Sequence, residues 1–192
     1  MVASFNTVID TGGVDGTPGA NTSIDALGPP NLRYKLADNA TIDNANPLVI
    51  PPGANHSYWK SIYLKCTGAP AVQVDNVRIY ADGTNPGVGV TLYVGDQMPI
   101  KNSGSSAGYK VAVGAGDSGT EMVTGYTGIT SKTSLYTYNS GATKSVTISE
   151  AGSKITGPNQ TTNYIVLQVE VANTAGPGVL TTKNYTWVYD EI

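Results

Sequence analysis

The chain has 192 residues, with Lys+Arg 11, Asp+Glu 14 and a net charge of −3. At 13 % charged residues it carries about half the ordinary share; this argues against a protein that grips nucleic acid by neutralising phosphates, which needs clustered Lys and Arg, and against a solvated helical rod. The 23 Gly and 11 Pro stay short of the disordered range, while 40 % hydrophobic residues, twelve Tyr and abundant Thr point to one packed all-β domain.

Residues 1–30 differ from the rest. After Phe5–Ile9, the span 10–30 holds five Gly, three Pro and neither Lys nor Arg. It reads as an extended N-terminal arm or long loop, either loosely packed on its own domain or laid on a neighbouring subunit. Residues 31–192 read as a β-sandwich domain. Leu32, Tyr34 and Leu36 alternate with polar residues and predict a strand. The run 47–53 is clipped by prolines, which suits an edge strand or a bridging segment. From Ser57 to Cys66, Tyr58, Ile62, Leu64 and Cys66 share one parity while Trp59 and Tyr63 occupy the other. Apolar weight on both faces marks a central strand.

After a turn at Gly68-Ala69-Pro70, Val77, Ile79 and Ala81 alternate, but Val72 and Val74 sit on the opposite parity. A bulge near Asp75–Asn76 would bring all five to one face. Asp82-Gly83 closes this run with a turn. Val88, Val90, Leu92 and Val94 form the cleanest alternating strand. Residues 95–133 are rich in Gly, Ser and Thr, with a strand-like island at Tyr109–Val113. So long a stretch predicts an insertion whose hairpins project from the core. Strand signals return at Ser134–Tyr138, Ser145–Ile148, Tyr164–Val171 and Tyr185–Tyr189, with Ile165, Leu167, Val169 and Val171 on one face. Short strands with regular turn signals predict a β-sandwich, jelly-roll or immunoglobulin-like, of eight to ten strands.

Residues with catalytic potential are few. His56, the one histidine, lies in the polar stretch Gly53–Ser57 and reads as a surface-loop residue. Cys66, the one cysteine, ends an apolar strand and reads as a core thiol, because adjacent Lys65 points to the other face. Asp10, Asp15, Asp25, Asp82, Asp96 and Asp117 show no calcium-loop spacing, although a glycosidase could pair acids across strands without any sequence spacing. Gly114 and Gly116 lack the lysine and helix of a phosphate cradle. The Asn-x-Ser/Thr triplets at Asn21, Asn39, Asn55, Asn159 and Asn184 carry no message without a secretory leader. No catalytic, cofactor-binding or metal-ligating residue is therefore assigned, and no cofactor is expected. Tyr58, Tyr63, Tyr93, Tyr109, Tyr126, Tyr136, Tyr138 and Tyr189, with Trp59 and Trp187, either pack against the sheets or line a sugar-binding face or a subunit interface. The first residues, Met1–Asn6, lack the basic and apolar regions of a signal peptide, and no apolar run suits a membrane helix. Synthesis in a cytoplasm without membrane attachment is expected.

Two groups of strings carry a resemblance. Trp59–Gly68 with Val77–Gly83, and Tyr164–Val171 with the Gly176-Pro177-Gly178 loop and Trp187–Glu191, resemble small β-sandwich proteins encoded among tailed-phage structural genes. The resemblance covers roughly 57–95 and 160–192. It implies a virion component that decorates a capsid or a tail; together with the lack of catalytic signatures this gives the expectation of a non-enzymatic decoration protein, made in the host cytoplasm, that binds and stabilises a capsid lattice. Its partners would be the major capsid protein or another virion protein, with self-association left open. It carries over no site residue. Two other readings stand beside it. One is a carbohydrate-binding or adhesin module with a glycan partner. The other is a single jelly-roll capsid protein, against which the arm's lack of basic residues speaks.

Overall fold

In a computed structural model of the chain, which describes residues 2–27, 32–41, 47–50, 55–81, 83–177 and 182–192, the alternating segments pair into antiparallel sheets. The first six strands are β1 (Ser4–Val14), β2 (Thr17–Ser23), β3 (Asn55–His56), β4 (Lys60–Gly68), β5 (Val74–Ala81) and β6 (Val90–Gly95). The remaining six are β7 (Gly114–Ala115), β8 (Ser118–Gly119), β9 (Lys132–Ser134), β10 (Lys144–Ser145), β11 (Ile165–Val171) and β12 (Tyr185–Glu191). One sheet runs β2-β1-β4-β11-β6-β9, with β3 also against β11, and a second runs β10-β5-β12. Ile62, Leu64, Leu92 and Leu167 of the large sheet share one core with Val77 and Ile79 of the small one. The chain is an all-β sandwich.

The predicted inward faces hold. Val90, Leu92, Val94, Ile165, Leu167, Val169 and Val171 are all buried. So does the bulge. Val188 faces Arg78 but Asp190 faces Asp75, so β5 carries one extra residue. Asn76, at φ 47, absorbs it; Asn tolerates this left-handed conformation better than most residues. Val74, Val77, Ile79 and Ala81 consequently share the core, while Val72 lies before the strand and is exposed.

Within residues 1–30, the described residues 2–27 are not an arm. β1 lies inside the large sheet, between β2 and β4. Its inward positions are Phe5, Thr7, Ile9 and Thr11, and its outward ones Asn6, Val8 and Asp10. Threonine in place of aliphatic residues, with a buried aspartate opposite, hides the alternation. The Gly- and Pro-rich residues beyond form the hairpin to β2, whose tip uses Gly13 and Gly16 at positive φ. Residues 28–31 fall outside the described part.

Nor does 95–133 project. It folds back over the outer face of the large sheet. Ala112, Met122, Tyr126 and Ile129 pack there with Trp59 and Val166 in a second core. Tyr109 joins Val8, Tyr63 and Tyr164 in a third. The segment has few apolar residues, but the outer face of β4 and β11 is itself apolar and needs a cover. It holds one hairpin, β7–β8, and a single helical turn, α1 (Met122–Gly125). The Tyr109–Val113 island is not a strand, because its side chains and carbonyls bond to the layer beneath. Residues 32–41 and 47–50 form no strand either. The predicted segment 47–53 and the Asp82 and Gly178 turns lie partly outside the described residues. Val88 precedes β6 and is exposed, so that alternation begins at Val90.

Candidate functional site

His56 is not a surface-loop residue. β3 and β4 run along the same side of β11, and His56 faces Glu170 while Lys60 faces Leu167. One extra residue therefore lies between them, a bulge that turns the chain. Ser57 repairs the ladder: its N–H donates to the Val169 carbonyl at 2.9 Å, and its hydroxyl accepts from the Val169 N–H at 3.0 Å. The bulge sets His56 Nε2 3.1 Å from Glu170 Oε2. Lys132 of β9 reaches in from the other side, with its Nζ 2.7 Å from Glu170 Oε2 and 2.6 Å from Glu121 Oε1. The same ammonium lies 4.4 Å from the centre of the Tyr93 ring.

Four ionisable side chains meet here. The ligand atoms of His56, Glu121 and Glu170 lie within 4.8 Å of one another, so by donor type they could hold a divalent ion. Lys132 already occupies the place between them, however, standing within ion-pair distance of both carboxylates. Hydrogen bonding to Lys132 holds the Glu121 carboxyl below its ordinary range. Burial pushes the Lys132 amine down, but its bonds to Glu121 and Glu170 raise it further. A glycosidase acid needs the opposite, a carboxyl held protonated near neutral pH. The geometry is that of an ion-pair clasp joining β3, β9, β11 and the cover.

A second polar centre lies under the cover. Asp10, 1 % exposed, accepts from Tyr164 Oη at 2.5 Å, Tyr63 Oη at 3.3 Å and Asn21 Nδ2 at 2.5 Å. Burial, reinforced by the neighbouring Asp10 charge, pushes both phenols well above their ordinary range, so both stay protonated and donate to the carboxylate. Tyr109 Oη donates to the Gly12 carbonyl at 2.9 Å and to Asp38 Oδ2 at 3.3 Å. Asp38 also stands 3.7 Å from the wholly buried Lys60 ammonium. Lys60 donates to the Ala37 and Asn39 carbonyls, and burial brings it down to about 8. Gln168 has all its polar atoms engaged. Its Nε2 donates to the Ser57 and Thr120 carbonyls, each at 2.8 Å, and its Oε1 accepts from the Met122 N–H at 2.8 Å. Asp96 closes the cover's far end. Against the upward push of burial, bonds from the Thr130 hydroxyl and the Ser131 and Thr130 backbones hold it well below the carboxylate range.

Cys66 is buried in the inner core as expected, its thiol raised by burial, and Lys65 projects from the opposite face. Gly114 and Gly116 belong to the tight β7–β8 hairpin. Asp15 pairs with Lys110. Asp25 accepts the Thr7 N–H. Asp82 lies outside the described residues. Sequence reasoning missed Glu121, Lys132, Gln168 and Glu170. The available signal was Gln168 and Glu170 inside an otherwise apolar strand, where buried polar groups require partners.

Against known protein families, curated proteins and solved structures, the chain matches none.

Proposed function

We propose that the chain is a non-enzymatic virion structural protein, a decoration protein that binds a capsid lattice and holds neighbouring subunits together. The observation that carries this reading is where the aromatics go. None of the twelve Tyr, two Trp and one Phe is in the exposed class. Stacking of neutral sugars needs open, nearly coplanar rings, so this placement speaks against the carbohydrate-platform reading. Instead the rings and polar tips of Trp59, Tyr109 and Tyr126 tie the cover to the large sheet, whose other face packs on the small sheet, and the result is a stiff block of the kind a mechanical clamp requires. Exposed apolar side chains offer a contact patch. Val2, Val72 and Ile192 are 79 %, 62 % and 62 % exposed. They gather at one end because Glu191 Oε1 accepts from both the Ala3 and Ala71 N–H groups, while the Val72 N–H donates to the Ile192 carbonyl. Apolar surface gathered in this way marks interaction sites.

The test is quantitative mass spectrometry of gradient-purified particles from the source of the gene. The reading expects this chain at a fixed ratio to the major capsid protein, and a Val72→Asp variant that folds normally but is depleted from particles. Absence from particles would overturn it.

A further inference from the structure

Lys60, at the start of β4, and Asp38, in the loop 35–41, face each other in a closed space. The Lys60 side chain is wholly buried and that of Asp38 is 10 % exposed, yet Nζ and Oδ1 stand 3.7 Å apart, beyond hydrogen-bond distance. A buried ion pair offsets its lost hydration only when its geometry is close and its remaining donors and acceptors are satisfied. We propose that this pair is a self-modifying site, at which the Lys60 amine and the Asp38 side-chain carboxyl condense to an amide that ties β4 covalently to the loop. The bond forms once per chain and is independent of the particle attachment proposed above.

Three observations point to it. The first is the placement of the nucleophile. Lys60 Nζ donates to the carbonyls of Ala37 and Asn39, at 3.0 and 3.4 Å, so the amine is held by the two residues that flank Asp38. Fixing two reactants in this way replaces a bimolecular encounter. The second is the state of the amine. Burial, and after it the Lys35 charge, bring it down to about 8 against the upward pull of Asp38. More of it is uncharged and nucleophilic near neutral pH than of an exposed lysine. The third is what waits at the carboxyl. Asp38 Oδ2 accepts from the Gly12 N–H at 2.7 Å and from Tyr109 Oη, which it shares with the Gly12 carbonyl, at 3.3 Å. These donors are placed to receive the negative charge that develops on Oδ2 as Nζ attacks.

The step needs no co-reactant, and no atom is oxidised or reduced. A proton passes from the ammonium to Oδ1, giving the neutral pair that a buried site favours. The Nζ lone pair then bonds to Cγ, the Cγ–Oδ1 bond breaks, and Oδ1 leaves as water with that proton and a second one from Nζ. In the product, Oδ2 keeps its donors as an amide oxygen and the remaining N–H keeps the Ala37 carbonyl. Two buried charges are thereby replaced by one satisfied neutral group.

The test is intact-mass spectrometry of the full chain, folded, incubated at about pH 8 and then unfolded in denaturant, together with a tryptic map. The expected result is a mass one water below that of the sequence, loss of cleavage after Lys60, and a Leu36–Lys65 peptide that carries the deficit. Lys60→Met and Asp38→Ala should each show the full mass of their own sequence. Tyr109→Phe should acquire the deficit severalfold more slowly, because one donor to Oδ2 is gone. Wild type at full mass after incubation overturns the site, and that reading does not depend on how any variant folds. A water deficit with cleavage after Lys60 intact also overturns it, because that marks ring closure of Asp38 on its own backbone. Loss of one ammonia instead of one water overturns the assignment to Asp38, since it places the bond on an asparagine. Because no particle is involved, failure here leaves the decoration reading to its own test.

Discussion

The two faces of the large sheet are covered by different chemistry. The inner face meets the small sheet through aliphatic side chains alternating along β4, β6 and β11. The outer face meets the 99–130 cover through aromatic rings and buried hydrogen bonds: Trp59 Nε1 to the Lys110 carbonyl, Tyr126 Oη to the Gly108 carbonyl, and Gln168 to three backbone groups. Burial of apolar area is non-directional and tolerates many partners. A buried polar network is directional and fails when one member is removed. The inner interface should therefore set global stability, and the outer one should fix where a coil-rich segment lies.

The harshest way to break this comparison is to delete residues 1–30. Because β1 pairs with β4 across the sheet, the deletion should abolish cooperative unfolding in circular dichroism; a well-folded deletion product would mean that the sheet does not need its N-terminal strands. Next comes Leu167→Ala, at a wholly buried inner position. It should cost about 2–5 kcal/mol, read as a lower denaturant midpoint with the cover and the sheets melting together. Gln168→Leu attacks the other face. It orphans the Met122 N–H and the Ser57 and Thr120 carbonyls, at about 1–3 kcal/mol for each group that water cannot reach. Hydrogen exchange should rise at 118–126 well before it rises in β6, and uniform loss of protection would contradict a separately held cover.

The smallest effect expected is at the clasp. The Glu121 side chain is 38 % exposed, so Glu121→Gln should cost under about 1 kcal/mol at neutral pH. The sign of the pH dependence follows from the lowered carboxyl. Its contribution is fully present above the unfolded value of 4.5 and is lost as pH falls through the lower folded value. Wild type and variant should therefore converge in acid, and a gap that widens below pH 4.5 would show that Lys132 does not stabilise the charged form.

How much of this was legible follows from the same contrast. β6 and β11 were readable because one aliphatic face alternates with polar or small residues, and the β5 bulge because Val74 and Val77 cannot share a face without it. β1 was hidden by Thr7 and Thr11 facing inward and by Asp10 buried outward. Asp10 is tolerable only because Tyr63, Tyr164 and Asn21 converge on it from distant segments. The cover was hidden because its few apolar residues gain meaning only against Trp59 and Val166. His56 and Glu170 lie 114 residues apart, so no local spacing could have joined them with Glu121 and Lys132.

The central claim is that this stiff three-layer block reinforces an assembled lattice. A ligand that binds only the assembled form stabilises it by RT ln(1 + [L]/Kd), about 2.7 kcal/mol per site at a hundredfold excess over Kd. The most direct measurement compares particles with and without this chain through a temperature ramp, scored by genome release. The account predicts that particles lacking it open at a lower temperature and that adding back the purified protein restores the midpoint. Identical release curves, with the protein bound at full occupancy, would contradict it.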